Sequence, residues 1–279
     1  MKSRAPLAVV VARKPHHGNP ESFHQAFADG LQRHGWRVSL QRHPSACDLL
    51  VLWGVRNRPA IAQQNRARGD VCILERGYLG DRFKWTSVSF GGGLNGHAEF
   101  RGVRVDDPSR FETHFGHMLQ PWRKSTSRRA LLVGQVYGDM SLAGVNIDDW
   151  YRDTAKGLRA RGWEVYFRPH PVALKKGQPG RVQGVPNFDG TLAEALAFAD
   201  LVVTFNSNTG VEAVLSGCPL VAFNQGAMAW PVAGHSLDEI VTPDRTAWAH
   251  GLAWKQWTID ELRSGFCWDV VSHGALVCG

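Results

Sequence analysis

Three groups of residues in this 279-residue chain have types and spacings that could do chemistry. The first is Asn206-Ser207-Asn208-Thr209-Gly210, with Glu212 close behind. If a helix starts near Thr209, its opening amides lack intrahelical acceptors and lie at the positive end of the helix dipole. That suits a phosphate or diphosphate. Glu212, in the first turn, then stands where it could hold a ribose hydroxyl. The same Ser and Asn residues also suit plain capping, with Asn208 as the N-cap. The second group is Arg168-Pro169-His170-Pro171, a rigid turn that stops the run Tyr166-Phe167 and leaves an Arg and a His at a strand's carboxyl end. Open α/β sheets bind ligands there. The third is Glu75-Arg76-Gly77-Tyr78-Leu79-Gly80-Asp81-Arg82. It offers a base for a hydroxyl proton: Asp81 first, because the glycine turn exposes it, then Glu75, which could equally pair with Arg76 or Arg82. His97, on the glycine run 91–97 beside Asn95, is a third candidate base that also reads as a surface histidine.

These groups need elements to position them. Apolar runs too short for helices, at 7–12, 36–40, 48–54, 71–75 and 84–90, read as buried strands. Helices are expected at 21–34, 59–68 and 109–120. The loop Arg13-Lys14-Pro15-His16-His17-Gly18 follows the first strand and could hold an acceptor phosphate through Lys14, His16 and His17. Residues 121–129, PWRKSTSRR, read as a linker. Beyond it come strands at 130–135, 163–167, 201–205 and 219–223, and helices at 148–161, 192–200, 209–216 and 259–263, the last capped by Thr258 or Asp260. Residues 174–187 read as a loop. Trp248, Trp254 and Trp257 read as core, or as part of a helical pair packing across a cleft. Asp148-Asp149 reads as a helix cap, not as a metal motif.

RPHP followed by LAEALAFADLVVTFNSNTGVEAVLSGCPLVAF resembles the nucleotide-sugar-binding half of GT-B glycosyltransferases. It is most similar to capsule-type Kdo transferases and related phage glycosyltransferases. The resemblance implies an α/β protein of two Rossmann-like domains facing a central cleft. Residues 1–122 would be the acceptor-side domain and 123–279 the nucleotide-sugar domain, with C-terminal helices able to pack back on the first. It implies donor binding by Gln135 and Gly138 after the first strand of the second domain, together with Arg168, His170, Ser207, Asn208, Thr209, Gly210 and Glu212. Acceptor contacts would come from Lys14, His16, His17, Arg76, Arg82 and Asn95. No metal is expected, no cofactor is held permanently, and a nucleotide sugar, a UDP-sugar by preference, serves as co-substrate.

Charge suggests the acceptor. Residues 1–125 carry 19 Lys and Arg against 10 Asp and Glu, a balance of +9, while the remainder carries −2 of the total +7. A basic half suits a polyanion. The expectation is therefore transfer of a sugar to a hydroxymethylated pyrimidine in phage DNA, the base being flipped out with help from the 90–97 or His16-His17 loop. Three alternatives stand: a capsule- or lipopolysaccharide-type glycan acceptor, a GT-B-like sugar-nucleotide epimerase, and a non-catalytic nucleic-acid-binding protein. Five cysteines without paired or zinc-like spacing read as core fillers in a reducing compartment. The apolar run near the amino terminus is too short for a signal peptide and no segment is long enough to span a membrane. A monomeric cytoplasmic protein is expected.

Overall fold

The computed structural model describes residues 4–11, 23–124, 127–142 and 144–273. In chain order the first elements are β1 (Leu7–Val11), α1 (Phe23–Arg33), β2 (Arg37–Gln41), β3 (Leu49–Trp53), α2 (Arg58–Arg66), β4 (Asp70–Arg76), β5 (Thr86–Phe90) and α3 (Ser109–Phe115). Then come β6 (Arg129–Val133), α4 (Ile147–Ala160), β7 (Glu164–Arg168), α5 (Pro171–Lys175), α6 (Leu192–Phe198), β8 (Leu201–Thr204), α7 (Thr209–Leu215) and β9 (Leu220–Ala222). The last are α8 (Thr246–Ala253), β10 (Gln256–Trp257), α9 (Ile259–Ser264) and α10 (Phe266–His273). The chain forms two compact units, one of residues 1–114 with 250–279 and one of residues 115–249.

The first unit is built on a six-stranded sheet in the order β10-β5-β4-β3-β1-β2. β2, β1, β3 and β4 are parallel, so Val11, Trp53 and Arg76 end at one edge. β5 is antiparallel to β4, with Arg76 opposite Thr86 and Cys72 opposite Phe90. Nine residues, too few for a crossover, join the two strands, and a hairpin-like reversal results. The core is apolar on both faces of β3 and β4, with Phe27 and Leu31 of α1 and Trp254, Trp257, Leu262 and Cys267 of the C-terminal segment closing over it. Trp254 and Trp257 are thus core residues of this unit.

That segment is locked in place by buried polar groups. The Arg110 guanidinium donates to Ala253 O (2.9 Å) and Gln256 O (2.8 Å), and pairs with both oxygens of Glu261. It lies among the rings of Trp85, Trp254 and Trp257. Gln256, fully buried, accepts from Tyr78 N (2.6 Å) and Leu79 N (2.9 Å) and donates to Leu79 O (3.2 Å). The two-residue strand β10 therefore shapes the turn that follows β4.

The second unit carries a parallel four-stranded sheet, β7-β6-β8-β9. β6, β8 and β9 are largely apolar and buried, as in a sheet covered on both faces, while the edge strand β7 alternates exposed or half-buried residues with buried ones. α6 opens with a capping box, Thr191 and Glu194 exchanging bonds. The helix expected over 109–120 ends at Phe115 in a 3₁₀ turn, and the loop expected over 174–187 begins inside α5. Among the described residues no helix is long and apolar enough to cross a membrane.

Removing Glu261 strands a guanidinium that is only 5% exposed. Glu261→Ala is expected to cost about 3 kcal/mol in urea unfolding, the low end for a broken buried pair because Glu261 retains some solvent contact. Burial alone would raise the Glu261 carboxyl, yet the Arg110 and Thr258 bonds hold it below its ordinary value. Its contribution is present above the unfolded carboxylate value and is lost as pH falls through the lower folded value. A Glu261→Gln variant should show a flatter acid limb than the parent.

Candidate functional site

The second unit gathers its polar residues at the carboxyl edge of its sheet. Gln135, just past β6, and Asn206, just past β8, are both nearly fully buried. Gln135 Nε2 donates to Asn206 Oδ1 (2.7 Å), and Asn206 N donates to Gln135 Oε1 (3.0 Å). Asn206 Nδ2 donates onward to Ser141 O (2.7 Å) and Asn224 Oδ1 (3.3 Å), while Gln135 N donates to Tyr151 Oη (2.7 Å). Three strand ends and α4 are thereby joined by one polar network. Burial pushes the Tyr151 hydroxyl up, so it is neutral and accepts this bond.

β7 brings the Arg-Pro-His-Pro turn to the same edge. Gly134 N donates to Arg168 O (2.9 Å). A Cβ at Gly134 would lie 2.9 Å from the Phe167 ring and 3.0 Å from both Arg168 O and His170 N, so only glycine lets β6 run this close to the turn. His170 is the N-cap of α5, and Val172 N donates to its Nδ1 (3.1 Å). A neutral ring held this way carries its proton on Nε2. Arg168 is half-buried, and its Nε is buried with no hydrogen-bond acceptor among the described residues. The loop after β6 is tied down as well, through Tyr137 N to Gln178 Oε1 (3.1 Å) and Gln178 Nε2 to Tyr137 O (3.2 Å). Gly138 lies at the exposed tip of that loop with positive φ.

The turn into α7 differs in detail from expectation. Ser207 N donates to Thr204 Oγ1 (2.9 Å), Thr209 N to Ser207 Oγ (3.3 Å) and Gly210 N to Ser207 O (3.0 Å). The amides of Thr209 and Gly210, expected to be open to a phosphate, therefore have acceptors within the turn. Gly210 is buried, and a Cβ there would meet Leu220 at 2.9 Å. Its absence of a side chain serves helix-on-strand packing. Asn208 occupies the N-cap position, but its side chain makes no cap hydrogen bond. Ser207, Asn208, Thr209 and Glu212 are half-buried at the same edge.

In the first unit the carboxyl edge holds Glu75, Arg76, Asp81 and Arg82. Glu75 Oε1 accepts from Arg76 N (2.9 Å), and exposed Asp81 accepts from Phe83 N (2.9 Å), closing a turn. Arg82 Nε donates to Gly77 O (3.2 Å). His97 and Asn95 do not join them. Because β5 runs antiparallel, the 91–97 loop leaves beside the start of β4, where Gly91 N donates to Val71 O (3.1 Å). It lies at the opposite edge of the sheet, near the Arg101–Asp70 pair (3.0 Å). His97, the alternative candidate base, and Asn95 are thus placed apart from Glu75 and Asp81. Lys14, His16 and His17 lie outside the described residues.

Sequence reasoning overlooked Asn206 as a network residue, Gly134, Gln256 and Asn224. A Gly immediately before Gln135 and an Asn ending each of two apolar strand runs were the available signals. At the amino-terminal edge of the second unit's sheet a half-open cavity of about 260 Å³ is lined by Arg123, Lys124, Ser127, Arg129 and Asp200. Among the described residues no group of three or more His, Cys, Asp or Glu is placed to hold a metal ion.

No protein-family model matches the sequence, and no curated protein matches it. Solved structures do. The Thermosulfurimonas dismutans KpsC beta Kdo 2,4 transferase matches with a TM-score of 0.63 at 15% identity, over 96% of this chain and 99% of that one. The fold is GT-B. The beta Kdo 2,7 transferase of the same KpsC matches with a TM-score of 0.51 at 11% identity, over 94% of this chain and 98% of that one. In GT-B terms the two units described here are the two Rossmann-like halves, and the fold resembles that of capsule-type enzymes.

Removing the hub of the amide network should be costly. Asn206→Ala leaves the buried Gln135 Nε2 without its acceptor, while the backbone bond to Gln135 Oε1 stays, and is expected to lower stability by about 1–3 kcal/mol. Differential scanning calorimetry of the variant beside Asn224→Ala, which removes the longest bond of the network (3.3 Å) and the turn bond from Gly226 N (2.8 Å) but leaves the Gln135–Asn206 pair, checks it.

Proposed function

We propose that this chain is a nucleotide-sugar-dependent glycosyltransferase. The observation that carries the reading is the Arg168-Pro169-His170-Pro171 turn at the carboxyl end of β7: Arg168 is half-buried there, with a buried Nε that has no acceptor among the described residues, and His170 caps α5 through its Val172 bond. A guanidinium held at that edge matches the charge that develops on a departing phosphate. Ser207, whose Oγ already accepts from Thr209 N, keeps its hydroxyl proton to donate. Gln135, Gly138, Asn208, Thr209 and Gly210 shape this edge, and Glu212 is assigned to the ribose.

The reaction then needs a base. The bond from the sugar's anomeric carbon to the phosphate oxygen breaks, the acceptor oxygen bonds to that carbon, and its proton passes to a carboxylate. Asp81 is proposed for this role in an inverting transfer, with Glu75 the neighbouring carboxylate on the same turn and Arg76 and Arg82 beside the acceptor. A UDP-sugar is the first donor to try.

For the acceptor, charge favours DNA carrying a hydroxymethylated pyrimidine. Apportioned by the observed units, the first holds 19 Lys and Arg against 13 Asp and Glu and the second 13 against 12. The first unit's surplus is therefore +6, smaller than the +9 of a simple cut at residue 125, but it still lies with the turn proposed to bind the acceptor. A second reading, a saccharide acceptor, is favoured by the fold shared with the Kdo transferases.

The test incubates the protein with UDP-, GDP-, dTDP- and CMP-linked sugars and with hydroxymethylcytosine DNA, unmodified DNA, an anionic oligosaccharide or no acceptor. Nucleotide release and product mass are read. A hexose-sized mass gain confined to the modified nucleoside supports the DNA acceptor, and a gain on the oligosaccharide the second reading. Release with no acceptor would point to an epimerase-like or hydrolytic enzyme, and DNA binding with no release would remove the transferase. Asp81→Asn is expected to lower kcat about 10²- to 10⁴-fold while leaving donor affinity unchanged. Glu212→Ala should weaken donor affinity. Full activity of Asp81→Asn beside an inactive Glu75→Gln would move the base to Glu75.

A further inference from the structure

The crossover between β3 and β4 carries charge that the donor and base assignments leave unused. β3 ends at Trp53 on the carboxyl edge and β4 starts at Asp70 on the opposite one, so α2 spans the sheet between them. Its inner face is Ile61 and Gln64, both buried, and Gln64 donates to Cys47 O (2.9 Å). Arg58, Ala62 and Arg66, spaced by four residues and all exposed, make a row along the outer face. Arg56 and Arg68, also exposed, extend the row past either end. The row starts beside the turn proposed to bind the acceptor. Gly54 N donates to Leu74 O (2.9 Å), and a Cβ at Gly54 would lie 3.1 Å from Glu75 Oε2.

Arginines on a helix are an ordinary solvated face when acidic neighbours offset them. Here no acidic neighbour does so. Residues 54–69 include no Asp or Glu, and none of the four arginines forms an ion pair among the described residues. Asp70, next in the chain, is taken by Arg101 through two bonds (3.0 and 3.1 Å). Two of the four also stand where stability favours another residue. Arg58 opens α2 at the positive end of the helix dipole, where an acidic residue is favoured. Arg68 follows the C-cap with a φ of 57°, the left-handed backbone that helix ends usually give to glycine. Local stability accounts for neither.

We propose that Arg56, Arg58, Arg66 and Arg68 form a track that holds the phosphate backbone of duplex DNA. The choice of DNA rests on the acceptor reading above. Arg58 and Arg66 are about 12 Å apart along the helix axis, a length over which a duplex presents about seven phosphates. Each guanidinium can thus take its own phosphate. An anionic membrane offers similar charge, but a helix lying on a membrane inserts an apolar face. α2 buries Ile61 in its own unit, and none of the exposed large apolar residues lies on it. The charge favours a polynucleotide. The track supplies affinity that does not depend on base sequence.

The test follows binding of the full chain to a fluorescent hydroxymethylcytosine duplex by anisotropy, from about 50 to 200 mM salt. Arg58→Gln/Arg66→Gln should reduce the slope of log affinity against log salt by about two, and Arg68→Gly by about one. Arg152→Gln, on α4 of the second unit, should leave the slope unchanged. Glycine suits the backbone at position 68, so Arg68→Gly should melt no lower than the parent, and its smaller slope then reports a lost contact. Smaller slopes together with sugar transfer to the duplex support both the track and the acceptor reading. Smaller slopes without any transfer support the track and remove DNA as acceptor. Parent-like slopes in both track variants, with transfer by the parent, overturn the track alone. An equal fall in Arg152→Gln would replace the track with a diffuse field and overturn it. Binding to phosphatidylserine vesicles, lost in the double variant, with none to DNA would overturn the choice of DNA, and no DNA binding at the lowest salt would overturn the proposal outright.

Discussion

A parallel sheet delivers the carboxyl ends of its strands to one edge, and whatever sits there must hold its shape without a helix or strand to impose it. In the second unit that work falls to buried amide side chains. Gln135, Asn206 and Asn224 each come from the residues just past a different strand, and their hydrogen bonds run through Asn206 as the common partner. Buried amides of this kind cost free energy unless their bonding capacity is met, so the network tolerates few alternative geometries. It fixes the spacing of the β6 and β8 loops. Gly134 fixes the third, by letting the Arg168–His170 turn pack directly on β6. The positions of the proposed donor-binding residues follow from these constraints.

The first unit solves the same problem differently. Its β4 turn is held from behind by Gln256 on the two-residue strand β10, and β10 is anchored in turn by the buried Arg110–Glu261 pair. Residues far apart in sequence thus set the position of Glu75, Asp81 and Phe83. Leaving either partner alone in the core would be worse than having neither. This explains why the charged pair is kept as a pair in a core that is mostly apolar.

Much of this was legible in the sequence, and the failures have physical causes. The strand–helix–strand run through β8, α7 and β9 showed in its Val-rich segments and its glycine stop, and the Arg-Pro-His-Pro turn was placed at a strand end because proline ends strands. What the sequence could not show was where amides spend their hydrogen bonds: Ser207 takes the Thr209 and Gly210 amides that the turn's composition seemed to leave open. The misplacement of His97 and Asn95 had a visible remedy. A nine-residue link between β4 and β5 is too short for a parallel crossover, so β5 had to reverse and carry the glycine loop to the far edge. β10 was beyond reach. Two residues, one of them a buried glutamine, have no periodicity to read.

The proposed transferase activity requires a sugar nucleotide to dock at the carboxyl edge of the second unit's sheet, and hydrogen exchange on the intact chain addresses this directly. With a nucleotide sugar that supports release, exchange is predicted to slow at residues 134–139, 168–171 and 205–212 while the opposite edge is unchanged. Protection confined instead to residues 123–129 and 199–200, around the basic cavity at the amino-terminal edge, would contradict it.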